Sequence, residues 1–165
     1  VAFHSVKKPT FHAFEFFSKA GQELLYRDEN LIVTRDKERY VIIGWNWNEQ
    51  QENKPGPDKA YALALPAIAG QSILIKKEVG GECGNPLQTW SNLGKPRNLN
   101  RDQKRILQAS AEPLQTDTKL FEKNGFYEVE LNIPCDHLCM LEILPVVDQT
   151  GSYAGFDPEG FFGIK

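Results

Sequence analysis

Three short apolar runs follow one another between residues 24 and 46, and they constrain the fold more than any other part of the chain. Each run is rich in β-branched and aromatic residues, and charged four-residue segments separate them; the runs cover residues 24–26, 31–35 and 40–46. Apolar runs of this length between polar turns are typical of adjacent antiparallel strands. The sequence therefore predicts a β-meander.

The third run is apolar on both of its faces. Val41, Ile43 and Trp45 share one face, and Tyr40 and Ile42 take the other, because successive side chains in a strand point to opposite sides. We expect this strand to be central and covered on both sides.

Further strand patterns occupy the rest of the chain, at residues 60–65, 72–79, 118–121, 126–133 and 137–144. The clearest alternation places Tyr127, Val129, Leu131 and Ile133 on one face. The Asn124-Gly125 pair before it is typical of a hairpin turn. Because no strand–helix–strand rhythm is present, the sequence predicts an all-β fold, an antiparallel β-sandwich with an N-terminal helix and a helix-containing loop insertion.

The N-terminal helix is predicted from phenylalanine spacing. Phe11, Phe14 and Phe17 recur at helical intervals and predict an apolar face, with His12 on the polar side. Gly21 is expected to supply a left-handed C-terminal cap. A phenylalanine stripe on so short a helix needs a large apolar surface to cover it, and we expect that surface to be absent from the meander, either outside this chain or elsewhere in it.

The second helix lies in the loop that covers residues 84–113. Residues 84–96 are rich in turn formers, and Asn100 with Gln103 has the spacing of a capping box at the start of a helix over about 101–112.

Composition excludes several classes of function. A chain of 165 residues with a net charge of -3 gives no electrostatic reason to bind nucleic acid or an anionic membrane. No apolar run approaches the ~20 residues of a membrane span, and no signal-peptide pattern is present. Three cysteines form an odd set, which favours free thiols, a reducing compartment and a cytoplasmic location.

The chain opens Val-Ala-Phe-His, and its one methionine is Met140. We therefore expect a fragment or a processed chain, whose active centre lies in another part of the protein.

Two local patterns resemble a catalytic motif and a metal-binding motif. Asn48-Glu49 at the end of an apolar strand resembles the acid/base pair of barrel glycosidases, but no partner carboxylate is evident, and a strand end leading into an exposed loop is the favoured interpretation. Cys135, His137 and Cys139 could line one strand face as zinc ligands, but structural zinc takes four ligands and no second cluster exists. We expect no metal and no cofactor.

A co-linear series of motifs runs through nearly the whole chain. It comprises Lys8-Pro9-Thr10-Phe11, Leu24-Leu25-Tyr26-Arg27-Asp28, Ile32-Val33-Thr34-Arg35, Ile42-Ile43-Gly44-Trp45-Asn46, Gly84-Asn85-Pro86, Trp90, Gly94-Lys95-Pro96 and Glu112-Pro113. This series resembles the C-terminal part of glycoside hydrolase family 39, the β-xylosidases related to α-L-iduronidases.

The resemblance implies a (β/α)8 barrel as the catalytic domain and as the partner of this chain. It implies that residues 1–21 include the last barrel helix, that 22–147 form the accessory sandwich with 84–113 as its long loop, and that 148–165 are a tail. The family hydrolyses glycosides with retention, using two glutamates on barrel strands. Neither strand is present here, so we expect no catalytic residue. Cys83 also stands where relatives often carry a histidine.

Asn85 and Trp90 are the candidates for contact with a sugar. Aromatic faces stack on sugar rings and an amide can bond hydroxyl groups, although Trp90 as an anchor for its own loop is the favoured interpretation. Three functions stay open: a non-catalytic part of a β-xylosidase-like enzyme, a stand-alone module that binds xylo-oligosaccharide, and a domain that forms a homo-oligomer through the phenylalanine helix.

Overall fold

The computed structural model describes residues 2–3, 5–48 and 56–146. Its elements are, in chain order, β1 (Ala2–Phe3), β2 (Val6–Lys7), α1 (Pro9–Phe17), β3 (Glu23–Arg27), β4 (Leu31–Asp36), β5 (Arg39–Asn46), β6 (Lys59–Pro66), β7 (Ser72–Val79), α2 (Leu87–Asn92), α3 (Arg101–Ser110), β8 (Leu114–Leu120), β9 (Phe126–Ile133) and β10 (His137–Pro145). Within these described ranges, no helix is long and apolar enough to cross a membrane.

The strands form a two-layer antiparallel fold. The larger sheet has the order β3-β4-β5-β10-β7-β8, and β6 pairs with β9 in a second sheet. Strands β1 and β2 form a separate short hairpin. The predicted all-β sandwich with an N-terminal helix and a helix-containing insertion is confirmed.

Strand β5 is central, as predicted. It pairs with β4 on one side and with β10 on the other. Tyr40 and Ile42 belong to the core between the sheets, whereas Val41 and Ile43 belong to a second apolar cluster on the outer face. Both faces are therefore buried.

Strand β9 closes the core from the second sheet, and its side chains alternate between exposed and buried along all eight residues. The hydroxyl of its buried Tyr127 accepts a hydrogen bond from the Ile68 N–H at 3.1 Å and lies 2.8 Å from the Ser72 hydroxyl in the larger sheet. This buried phenol therefore has polar partners, and it links the two layers.

Lys123 and Phe126 form an antiparallel bridge across the Asn124-Gly125 turn, so the predicted hairpin-type turn is present. Its φ angles are 53° and 83°, as the predicted tight turn requires. The strands on either side, however, lie in different sheets, because β8 pairs with β7 and β9 pairs with β6. The turn carries the chain from one layer to the other.

Helix α1 forms as predicted, and the face that it turns to the sandwich is not the phenylalanine stripe. His12 and Phe16 are its buried residues. Phe14 is 70% exposed and Phe17 is 43% exposed. Phe16 packs on the outer face of the larger sheet, so the predicted stripe points largely to solvent.

Gly21 is not the predicted left-handed cap, since the helix ends at Ser18 in an ordinary right-handed conformation. A Cβ atom at Gly21 would lie 2.4 Å from the backbone carbonyl of Arg35. Glycine is needed here because the chain passes directly against β4.

The predicted loop at 84–113 contains both α2 and α3, and the sequence had indicated only α3. The division into a barrel remnant, a sandwich and a tail stays a prediction. The predicted tail at 148–165 and Glu49 lie outside the described residues.

Candidate binding groove in the helix-containing insertion

The two ends of the insertion lie together directly after β7, and this region is its base. Gly80 and Cys83 form a β-bridge, and the Gly84 N–H donates to the Glu112 carbonyl at 3.1 Å. The base therefore holds both ends of the insertion beside the larger sheet.

Helix α3 begins with the predicted capping box. The Asn100 side chain accepts from the Gln103 N–H, and the Gln103 side chain accepts from the Asn100 N–H. This reciprocal pair satisfies two of the N–H groups that the first turn leaves without helical partners.

A small apolar cluster joins the insertion to the N-terminal hairpin. Val6 from β2 packs with Leu107 and Ala111, and the partly buried Trp90, Leu93 and Leu99 pack against them. The cluster brings residues 6–9 next to α2, α3 and the turn between these helices.

A groove of about 750 Å³ opens beside this cluster. Most of its lining is apolar, and the lining residues are Val6, Lys8, Pro9, Asn85, Pro86, Leu87, Trp90, Pro96, Arg97, Leu99 and Leu107. The structure thus brings the two sugar-binding candidates, Asn85 and Trp90, to the same groove.

The polar atoms of both candidates are already engaged within the insertion. The Trp90 indole N–H donates to the Pro96 carbonyl at 3.2 Å. Asn85 accepts from the Leu87 N–H at 3.2 Å, and its amide N–H lies 3.5 Å from the Gly81 carbonyl. These contacts agree with an anchoring role for Trp90, and sugar binding stays a prediction.

Sequence reasoning missed two cations that line the groove. Lys8 and Arg97 are both exposed, and among the described residues neither side chain has an ion pair or a hydrogen bond. Lys8 directly precedes Pro9 and Arg97 directly follows Pro96, but the two cations are far apart in the sequence. Only the tertiary packing brings them together.

A buried histidine fastens α1 to the insertion. The two ring nitrogens of His12 lie 2.7 Å from the Ala111 carbonyl oxygen and 3.1 Å from a carboxylate oxygen of Glu15. A neutral imidazole has one N–H, so hydrogen bonds to both oxygens require an additional proton, on the ring or on the carboxyl group.

The environment of Glu15 favours its ionised form. Partial burial raises its pKa, but the hydrogen bond from His12 and the charges of Lys7, His12 and Lys77 outweigh this, so the pKa lies below its usual value. The Glu15 carboxylate is therefore the group that faces the His12 ring.

The predicted zinc candidates have other contacts. His137 donates through Nδ1 to the Cys135 carbonyl at 2.8 Å, and the Cys135 sulfur accepts from the Gly56 N–H at 3.1 Å. Burial, with a smaller effect of the Glu78 charge, raises the pKa of Cys139 to about 12. No metal-binding group of three or more such side chains occurs in the part of the chain that the structure describes.

The strand end that imitates a glycosidase acid/base pair is only partly described. Trp47 is 72% exposed, and the Asn48 backbone N–H donates to Asp136 at 3.1 Å. Glu49, the residue that would act as the acid, lies outside the described residues.

Comparison with known proteins identifies the family. The sequence model for glycosyl hydrolases family 39 matches residues 1–128. The chain belongs to glycosyl hydrolase family 39. It is also 35% identical over 158 residues to a β-xylosidase from Geobacillus stearothermophilus, a match that covers 95% of this chain and 31% of that protein.

Solved structures of family 39 enzymes share the fold. The family 39 enzyme from Xanthomonas axonopodis pv. citri matches with a TM-score of 0.72 and 17% identity, over 86% of this chain and 31% of the other. A monomeric β-xylosidase from Caulobacter crescentus CB15 matches with a TM-score of 0.66 and 21% identity, over 87% and 32%. This family 39 chain therefore spans about a third of the length of the relatives it matches.

Proposed function

We propose that this chain is the non-catalytic accessory portion of a retaining glycosidase of the β-xylosidase type, and that a (β/α)8 barrel carries out the reaction. The supporting observation is the match to a β-xylosidase, which covers 95% of this chain but 31% of that protein. Every strand pair among the described residues is antiparallel, whereas a (β/α)8 barrel is built from parallel strands.

The exposed face of α1 is the proposed contact surface for the barrel. Phe14 is 70% exposed and Phe17 is 43% exposed, and the Phe17 ring lies 5.9 Å from that of Trp45. Contiguous exposed aromatic groups favour a contact with another domain. In this proposal residues 1–21 include the last helix of the barrel, which explains why one face of the helix meets the sandwich and the other does not.

A glycosidase assay tests the proposal. The chain alone is incubated with 4-nitrophenyl β-D-xyloside, with the Geobacillus β-xylosidase at the same molar concentration as the positive control. We expect release of nitrophenol at the rate of the buffer blank, because retention requires two carboxylates on barrel strands. Turnover by the purified chain would contradict the proposal, and a Glu49→Gln variant would then show whether Glu49 takes part.

A second candidate function is binding of xylo-oligosaccharide by the sandwich itself. The observation in its favour is that Asn85 and Trp90 line one groove. It is the weaker candidate because the polar atoms of both side chains already have partners within the insertion.

A further inference from the structure

The groove has a mostly apolar lining that also includes the cations Lys8 and Arg97. Val6 and Leu107 are 7% and 3% exposed and form part of its floor, and the Trp90 and Leu99 side chains are partly buried beside them. Its volume of about 750 Å³ falls within the ~300–1,000 Å³ that is typical of sites for small molecules.

The charge around the groove is positive, although the chain as a whole is negative. Residues 84–113 contain five Lys or Arg and two Asp or Glu, in a chain with a net charge of -3. Among the described residues no acidic side chain lines the groove, and nearby Glu112 is paired with Lys7 at 3.1 Å. Lys8 and Arg97 are therefore left uncompensated within a mostly apolar lining.

A sugar is a poor match for this lining. A hydroxyl-rich ligand needs many hydrogen-bonding partners, because burying an unsatisfied hydroxyl costs free energy. The Asn85 amide oxygen and the Trp90 N–H are already used within the insertion. The remaining lining offers apolar contact and positive charge.

We propose that this groove is a binding site for amphiphilic carboxylates, small molecules with an aromatic or branched apolar body and one anionic group. The apolar body packs against Trp90, Leu99 and Leu107, and the carboxylate binds Arg97 and Lys8. Arginine suits this role because its planar guanidinium can donate two parallel hydrogen bonds to a carboxylate. This inference goes beyond the accessory role proposed above.

Calorimetric titration of the chain with 3-phenylpropanoate tests the site, with 3-phenylpropan-1-ol as the uncharged ligand of similar shape. We expect the carboxylate to bind with a dissociation constant on the order of a millimolar or lower, and at least tenfold more tightly than the alcohol. We also expect its binding to weaken as salt is added, because the cations are exposed.

Variants locate the binding. Arg97→Gln and Lys8→Gln should each weaken binding of 3-phenylpropanoate about fivefold or more. Arg105→Gln is the matched control, because Arg105 is an exposed cation of the same insertion that does not line the groove, and it should leave the affinity within about twofold. None of these exposed side chains has an ion pair or a side-chain hydrogen bond among the described residues, so all three variants should keep the circular dichroism spectrum of the parent chain.

Several outcomes would overturn the proposal. They are equal affinity for the acid and the alcohol, an Arg105→Gln variant as weak as Arg97→Gln, or no saturation by 3-phenylpropanoate up to about 10 mM. Two further titrations identify the alternative occupants. Binding of xylotriose or of an acidic, leucine-containing peptide, without binding of 3-phenylpropanoate, would assign the groove to a sugar or to a protein partner instead.

Discussion

The two faces of the larger sheet are buried in different ways. The inner face contributes to a core of thirteen buried residues between the sheets, which come from the strands and from one loop residue, Ile68. Among the residues that the structure describes, the outer face has a cluster of five buried residues, of which Phe16 of α1 alone comes from a helix. The inner core is therefore closed by many strand residues, whereas the outer cluster depends on one helical side chain.

Polar contacts add to the apolar contact of Phe16 in holding α1 against the outer face. Near the C-terminal end of α1, Lys19 lies 3.2 Å from the buried Glu142, and Arg39 donates to the Lys19 carbonyl at 3.1 Å. In its first turns, His12 bonds to Ala111. We infer that α1 is held at both ends by polar contacts and in between by Phe16, so it should detach at a lower free energy than the sandwich unfolds.

The largest expected effect comes from Phe16. Phe16→Ala should lower the free energy of unfolding by about 3–5 kcal/mol if α1 unfolds together with the sandwich, because it leaves a cavity under the helix. Phe14→Ala is the matched control on the same helix. Phe14 is 70% exposed, so that variant should stay within about 0.5 kcal/mol of the parent chain. Urea unfolding followed by circular dichroism and by tryptophan fluorescence measures both.

Circular dichroism and tryptophan fluorescence together also test whether the outer face of the larger sheet opens before the inner core. Separate transitions for the Phe16→Ala variant would mean that the helix detaches while the strands stay folded. Equal stability of the Phe14→Ala and Phe16→Ala variants would contradict the burial of α1 described here.

An intermediate effect is expected at His12. His12→Phe keeps an aromatic ring but removes the partner of the Ala111 carbonyl, and a buried unsatisfied carbonyl costs about 1–3 kcal/mol. Amide hydrogen exchange is the measurement. Protection should fall in α3 and at the base of the insertion, and it should stay unchanged in β9, which lies in the other layer. A uniform loss of protection across both layers would mean that His12 supports the whole fold and not its outer face alone.

The inner core was readable from the sequence, and the outer face was not. Alternation in β9 predicts the buried side of that strand directly, because strand periodicity depends on local geometry alone. The helical pattern of α1 places Phe14 and Phe17 on one face and His12 on the other, but it does not reveal that His12 is a residue that the sandwich buries. The observed face depends on Ala111, which is 99 positions away and offers the imidazole a hydrogen bond.

Dependence on contacts that are distant in the sequence also explains why Lys8 and Arg97 were not predicted as residues of the groove. Asn85 and Trp90 stand out in the sequence as residue types that contact sugars, and the structure does bring them together. Lys8 and Arg97 have no local signature, and they line one groove because Val6 of the N-terminal hairpin packs against Leu107 of α3. The Asn124-Gly125 turn forms a bridge between Lys123 and Phe126, but β8 and β9 then join different sheets, since local turn chemistry does not determine which sheet the next strand joins.

The smallest expected effect concerns the pH dependence of the outer face. The pKa of Glu15 is lowered from 4.5 in the folded chain, so its carboxylate stabilises the folded state above about pH 4.5, and this contribution is lost as the pH falls further. Because the Glu15 side chain is 36% exposed, solvent screening limits the effect to about 1 kcal/mol or less. Glu15→Gln should therefore flatten the loss of stability between about pH 5 and pH 3.

Glu38→Gln is the control for this measurement, since Glu38 is exposed in the turn between β4 and β5. Thermal unfolding in a series of buffers from pH 7 to pH 3 compares the two variants with the parent chain. If Glu15→Gln and Glu38→Gln change the slope equally, the acid sensitivity is a property of total charge. If only Glu15→Gln changes it, the acid sensitivity comes from the contact between the Glu15 carboxylate and the His12 ring within α1, and the outer face responds to acid before the inner core does.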